Sequence, residues 1–122
     1  MEITFSKKAA RVPVTVARVR GRIDSSNYHD FSAAARKIVA SGAQYLLLDL
    51  AGCEYMSSSG IRSLNELCLQ FRSAYPDDAG STRSRRLKLL NPSDKLAGIF
   101  SIAGVDAFFE IYSDLETAVA SF

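Results

Sequence analysis

Three consecutive serines and a glycine, Ser57-Ser58-Ser59-Gly60, are the residues of this chain best placed to do chemistry. Hydroxyls at the mouth of a helix can accept hydrogen bonds from its unpaired backbone N–H groups, and they can also be modified. The run follows a continuous apolar stretch, Tyr45-Leu46-Leu47-Leu48-Asp49-Leu50, of the kind that forms a strand buried on both faces. It precedes Ile61, Leu64, Leu67, Cys68, Phe71 and Tyr75, which recur at helical spacing. The serines therefore stand where a buried strand passes into an amphipathic helix. In an open α/β sheet, ligands and partners are met at that carboxyl end of the strands. One serine suffices as a cap, so the run reads either as capping alone or as capping with a hydroxyl left for a partner.

Other candidates are weaker. Asp24 and Asn27, in Asp24-Ser25-Ser26-Asn27, belong to the same rim and also have the chemistry of helix caps. Arg62 lies one helical turn beyond Ser58, where it can approach an anion or simply be solvated. His29 is the sole histidine and lacks a cysteine or carboxylate constellation, which excludes a zinc site of the usual spacing. Cys53 is expected in the linker between strand and helix, and Cys68 on the apolar helix face. Arg83, Arg85 and Arg86 read as a solvated basic cluster after a flexible loop. A serine hydrolase needs Gly-x-Ser-x-Gly and a partnered histidine, and neither is present, so an enzyme is not expected.

The elements that must position these residues follow from periodicity. Val12–Ile23 alternates as a strand, with Ile3 and Phe5 in a shorter strand paired to it as a hairpin. Tyr28, Phe31, Ala34, Ala35, Ile38 and Val39 mark a helix that Gly42 stops. Pro76–Thr82 reads as a loop, within a low-complexity stretch around residues 76–86. Leu87–Leu90 is a strand, and Ser93 caps a helix carrying Leu96, Ile99, Phe100 and Ala103 that ends at Gly104. Phe108–Tyr112 reads as a last strand. Ser113 and Glu116 have the spacing of a capping box for a terminal helix with Leu115, Val119 and Phe122. The order is β-β-α-β-α-β-α-β-α, an α/β fold with a mixed, mostly parallel sheet of about five strands and about four helices.

Length and charge narrow the class. The 122 residues suit one domain spanning 1–122. A net charge of +2 is too mild to argue for a nucleic-acid partner. No apolar run reaches membrane-spanning length and the first residues lack a signal peptide's apolar centre, so a cytoplasmic protein without membrane insertion is expected, its two cysteines reduced. The residues call for no metal and no cofactor. They do not decide whether the chain forms a weak homodimer.

The stretch Leu46–Leu64, LLLDLAGCEYMSSSGIRSL, resembles the signature of STAS domains of the anti-sigma-factor-antagonist type. That signature is a buried strand ending in aspartate-leucine, a short linker, a hydrophobic residue, and then Asp-Ser-Ser-Gly opening a helix. Asp49-Leu50, Met56 and Ser58-Ser59-Gly60 match it, Gly21-Arg22-Ile23-Asp24 resembles the family's Gly-x-hydrophobic-Asp, and Ile111–Val119 its closing strand and helix. The resemblance implies the STAS fold and a bacterial partner switch in transcription regulation. Ser58 would be phosphorylated by an anti-sigma factor that is a serine kinase of the histidine-kinase-like ATPase fold. The unphosphorylated chain would bind that kinase and free a sigma factor, and a metal-dependent serine phosphatase would reset the switch. Asp24, Asn27, Met56, Ser57, Ser58, Ser59, Gly60 and Arg62 would form the partner-binding rim. The family usually has aspartate where Ser57 stands, which leaves Ser57 and Ser59 as alternatives to Ser58 as the modified residue. The alternative implied by the same resemblance is a STAS subunit of a lipid transporter or stress-signalling scaffold without this phospho-switch.

Overall fold

Val14 and Val16 are buried on one side of their strand, and Ala17, Val19 and Ile23 on the other, so the strand is central and covered on both faces. The computed structural model describes residues 1–122 apart from the side chain of Ala79. Strand β1 (Glu2–Ala9) turns back antiparallel onto β2 (Pro13–Ile23), as the hairpin reading expects. Helix α1 (Tyr28–Ala40) then crosses to β3 (Leu46–Met56), α2 (Ser58–Ala74) to β4 (Leu87–Leu90), and α3 (Asp94–Ala103) to β5 (Ile111–Tyr112). These last four strands are mutually parallel, and the spatial order is β1-β2-β3-β4-β5. Helices α1, α2 and α3 pack on one face through Phe31, Leu64, Leu67, Phe71, Leu96 and Phe100. Helix α4 (Leu115–Ala120) alone covers the other, where Ala118 and Val119 meet Val14, Val16, Leu47 and Leu90.

Strand β3 is longer than its apolar run. Its inward residues are Leu46, Leu48 and Leu50, then Cys53 and Met56, so the two-residue period lengthens to three after Leu50. Two irregularities in its register with β2, between Arg18 and Arg20 and between Gly21 and Arg22, accommodate the extra residues. Bulges of this kind re-aim side chains without ending the strand. Cys53 is therefore a buried strand residue and not part of a linker. Burial pushes the thiols of both Cys53 and Cys68 up, which removes the conditions for a reactive thiolate.

The segment after α2 is more ordered than its composition predicts. Pro76–Gly80 forms a 3-10 turn, and the fully buried Asp78 carboxylate organises the chain leading into β4. It accepts hydrogen bonds from the Ser84 hydroxyl at 2.8 Å and the Arg85 N–H at 2.6 Å, and pairs with Arg72 at 3.9 Å. Arg86 is likewise buried, not solvated. Its guanidinium lies 4.0 Å from the Tyr75 ring centre and 4.9 Å from that of Tyr45, and it donates to Asp77.

The last strand and helix also differ from expectation. A 3-10 turn at Val105–Ala107 directs Phe109 into the core and leaves Phe108 exposed, so only Ile111 and Tyr112 of the Phe108–Tyr112 run join the sheet. Asp114, not Ser113, caps α4, accepting from the Thr117 N–H at 2.9 Å and its hydroxyl at 2.8 Å. A carboxylate at a helix N-terminus is a stronger acceptor than the neighbouring hydroxyl, and Glu116 takes no part in the cap. The buried Lys88 of β4 holds the end of this helix: its Nζ donates to the Ser121 carbonyl and hydroxyl at 3.0 Å and pairs with Glu110 at 3.3 Å.

Removing the Asp78 carboxylate in Asp78→Ala leaves the buried Ser84 hydroxyl and the part-buried Arg85 N–H without their acceptor, and Arg72 without its ion pair. We expect a loss of about 2–4 kcal/mol in urea unfolding. A loss under about 0.5 kcal/mol, the range of ordinary surface changes, would mean that this carboxylate does not organise the segment.

Candidate functional site: the rim at the β3–α2 junction

Strands β2 and β3 finish together, with Ile23 registered opposite Met56. The Ser57 N–H then donates to the Ile23 carbonyl at 2.9 Å, and the next residue begins α2. The Ser57 backbone is extended (φ −76°, ψ 175°), and its hydroxyl accepts from the Gly60 N–H at 3.4 Å. This is an N-cap bond, and a long one. Ser57 and Ser59 are half-buried and Ser58 is exposed. The Ser59 carbonyl accepts from the Ser63 hydroxyl at 3.1 Å. The three serines thus separate: Ser57 caps, Ser59 is half-buried, and Ser58 is exposed to solvent on the first turn of α2.

That turn contains no acidic residue. The partial positive charge of the helix N-terminus and its unpaired N–H groups are met only by the neutral Ser57 hydroxyl, an arrangement that favours an anion. Arg62 is exposed and makes no ion pair with the described residues. Two further cations border the junction through Tyr55. The Arg22 guanidinium lies 4.9 Å from its ring centre and the Lys95 ammonium 5.6 Å. Tyr55, Arg22 and Lys95 were not among the residues singled out from the sequence. The signal for Arg22 was its place in the alternation Arg18-x-Arg20-x-Arg22, which puts all three on the same face of β2 as Val14 and Val16, beyond the part that α4 covers.

The loop after β2 forms the other wall. Asn27 precedes α1 but makes no side-chain cap. Its Oδ1 accepts from the Asp24 N–H at 2.9 Å and its Nδ2 donates to the Arg22 carbonyl at 2.8 Å, so its side chain is spent closing the turn. Asp24 points outward, and hydrogen bonds from the Ser26 hydroxyl and then the Ser26 N–H hold its carboxyl below the usual range, with Arg22 adding a smaller pull. Met56 and Gly60, named from the sequence as partner-facing, are buried. They set the junction's shape and offer no surface. A Cβ at Gly60 would stand 2.6 Å from Met56 Cγ and 3.0 Å from both Ile23 Cγ2 and the Ile23 carbonyl. His29 is exposed at the start of α1, its ring 4.0 Å from that of Tyr28.

Gly60→Ala should therefore cost about 1–3 kcal/mol through overpacking. That exceeds the roughly 1 kcal/mol that alanine adds as a better helix former. A urea midpoint equal to or above that of the unchanged chain would contradict the close packing. Ser26→Ala should raise the Asp24 pKa toward the ordinary value, read by NMR titration of its carboxyl. Because the folded-state pKa is depressed, any stability Asp24 contributes is present at neutral pH and fades as pH falls through that pKa. An unmoved titration would assign the depression to the Ser26 N–H and Arg22.

Comparison with known proteins fits this geometry. The STAS domain model matches residues 7–118. No curated protein matches significantly. Among solved structures, a Thermotoga maritima protein aligns with TM-score 0.74 at 18% identity, covering 94% of this chain and 91% of its own. An anti-sigma factor antagonist from Mycobacterium paratuberculosis aligns with TM-score 0.73 at 20% identity, covering 98% and 93%. The Bacillus cell fate determinant SpoIIAA in its phosphorylated form aligns with TM-score 0.63 at 18% identity, covering 95% and 96%. At these identities the structural likeness speaks for the fold alone. The family match spans nearly the whole chain, and with the sheet order and the strand–serine–helix junction it carries one conclusion: this chain belongs to the STAS domain family.

Proposed function

We propose that this chain is an anti-sigma factor antagonist, a protein-binding switch set by phosphorylation of Ser58. The observation that carries the reading is the position of Ser58, exposed on the first turn of a helix whose N-terminus has no acid of its own. The Ser57 hydroxyl is engaged as a cap and Ser59 is half-buried, which favours Ser58 over its neighbours as the acceptor. The rim of Asp24, Ser58 and Arg62, with Arg22, Tyr55 and Lys95 beside it, is the surface a partner would meet. That partner is an anti-sigma factor serine kinase of the histidine-kinase-like ATPase fold, with a metal-dependent serine phosphatase acting in reverse. The chain is then substrate and ligand, and performs no chemistry itself.

The electrostatics agree with a switch that works by changing its surface. A phosphoserine brings about −1.5 to −2 charges, and at a helix N-terminus the dipole and free N–H groups favour them. The fold is therefore expected to survive modification while the interface changes. SpoIIAA aligns with this chain at TM-score 0.63 in both its unphosphorylated and phosphorylated forms, which supports the same expectation. Aspartate in place of Ser57 would add a negative charge beside the acceptor. The neutral cap should let the first phosphate charge be accommodated without that repulsion.

Incubation with lysate of the source organism and ATP, followed by peptide mass spectrometry, should place phosphate on Ser58 and none on Ser57 or Ser59. In pull-downs, the unchanged chain and Ser58→Ala should retain an ATPase of the stated kind that Ser58→Glu retains at least about tenfold less, a weakening of roughly 1.4 kcal/mol. Phosphate on a different serine would reassign the switch. Equal capture of the same partners by all three forms would overturn it.

A further inference from the structure

The far edge of the sheet carries a second surface. β1 is an edge strand of eight residues paired only with β2. The Thr15 N–H donates away from β1, to the Tyr45 carbonyl at 2.9 Å. Backbone groups of successive strand residues alternate in direction, so Val14, Val16 and Arg18 turn toward β1 and pair with Lys8, Ser6 and Thr4. Ile3, Phe5 and Lys7 consequently present their N–H and C=O groups to the open edge. Phe5, in the middle, is 39% exposed, an uncommon state for a large aromatic side chain.

We propose that this edge is a homodimer interface, in which β1 pairs antiparallel with β1 of a second copy about a twofold axis at Phe5. The strand is self-complementary in that register alone. Phe5 faces itself, Ile3 faces the partner's Lys7, and Glu2 faces the partner's Lys8, twice over by symmetry. The outward-facing Ile3, Phe5 and Lys7 then meet their counterparts in hydrogen-bonded pairs, giving about six inter-strand bonds. A shift by two residues leaves Lys8 opposite Thr4 or beyond the end of the strand, and parallel pairing sets the lysines beside one another. Lysines on an edge usually guard against pairing. Here their charge instead selects one register.

Helix α1 repeats the pattern independently. It joins two parallel strands and so runs opposite to β2, in the direction of β1. Asp30, Ala33, Ala34 and Lys37 line a groove with Phe5 and Ile38, the acid near the start of the helix and the base near its end. The same axis, passing between Ala33 and Ala34, sets Asp30 toward the partner's Lys37. The small side chains between them permit close approach, and the two helix dipoles lie antiparallel. Strand and helix thus carry acid, apolar centre and base in the same order, which a twofold axis converts into matched pairs. The rim around Ser58 lies outside this surface and stays open in the dimer.

Sedimentation velocity on the full chain, from micromolar to millimolar concentration, tests the proposal. A concentration-dependent dimer is expected. Phe5→Pro removes an outward N–H together with the ring on the axis and should weaken the dimer at least about tenfold, while the strand's own bonds to β2, made by the residues on either side, are kept. Lys8→Glu alone and Glu2→Lys alone should each be monomeric where the unchanged chain is dimeric, and a mixture of these two variants should form the heterodimer. A chain that stays monomeric throughout, a Phe5→Pro variant that dimerises as tightly, or charge variants that fail to complement would each overturn it.

Discussion

The hydrogen bond from the Ser57 N–H to the Ile23 carbonyl, 2.9 Å long, ends one strand pair and opens a helix within a single residue. It can form only if β2 and β3 finish in register, which the two bulges in β3 bring about by letting Leu46–Met56 keep pace with the shorter stretch Thr15–Ile23 that it pairs with. It also needs Gly60, because the first turn of α2 passes so close to Ile23 and Met56 that a side chain would collide. The exposure of Ser58 follows from these constraints. Its neighbours are turned to capping and packing, and Ser58 is the serine left facing solvent.

Two kinds of forces hold the frame behind this junction. On the face carrying α1, α2 and α3, aromatic and leucine side chains exclude water, and burial of apolar area is the main stabilising term. The opposite face is only half covered, by a helix of six residues. So short a helix buries little, and its end is held by polar contacts from Lys88 instead. Asp78 and Arg86 act similarly on the segment after α2, Asp78 through partners close in sequence and Arg86 also through the Gln44 carbonyl and the Tyr45 ring. Buried ion pairs stabilise weakly but punish misplacement, so these groups fix where segments lie more than they raise stability.

The division of surfaces follows from the same layout. The rim at the carboxyl ends of β2 and β3 gathers a helix N-terminus and several cations, a charge distribution that favours an anion. The β1 edge offers backbone hydrogen bonds and a graded charge pattern, and faces a like edge. Because β1 leads the sheet and is never crossed by a helix, the edge remains open without disturbing the rim.

Much of this was legible in the chain itself. Periodicity and breakers determined the element order, the hairpin, the parallel crossovers and the strand–serine–helix handover, because each depends on residues close in sequence. The cap by Ser93, the stop at Gly104 and a serine cap on α2 were readable for the same reason, though not that Ser57 supplies it. The cap at Asp114 and the shortened β5 were not, since a core pull on Phe109 from distant residues decided where the strand could begin. Nor were the bulges of β3, whose extra residues break the alternation that marks a strand, nor the burial of Arg86 between Tyr45 and Tyr75, thirty residues apart. That three serines were present, the sequence alone determined. Which of them faces solvent was decided by the tertiary structure, because only the register of β2 against β3 sets the direction in which α2 leaves the sheet.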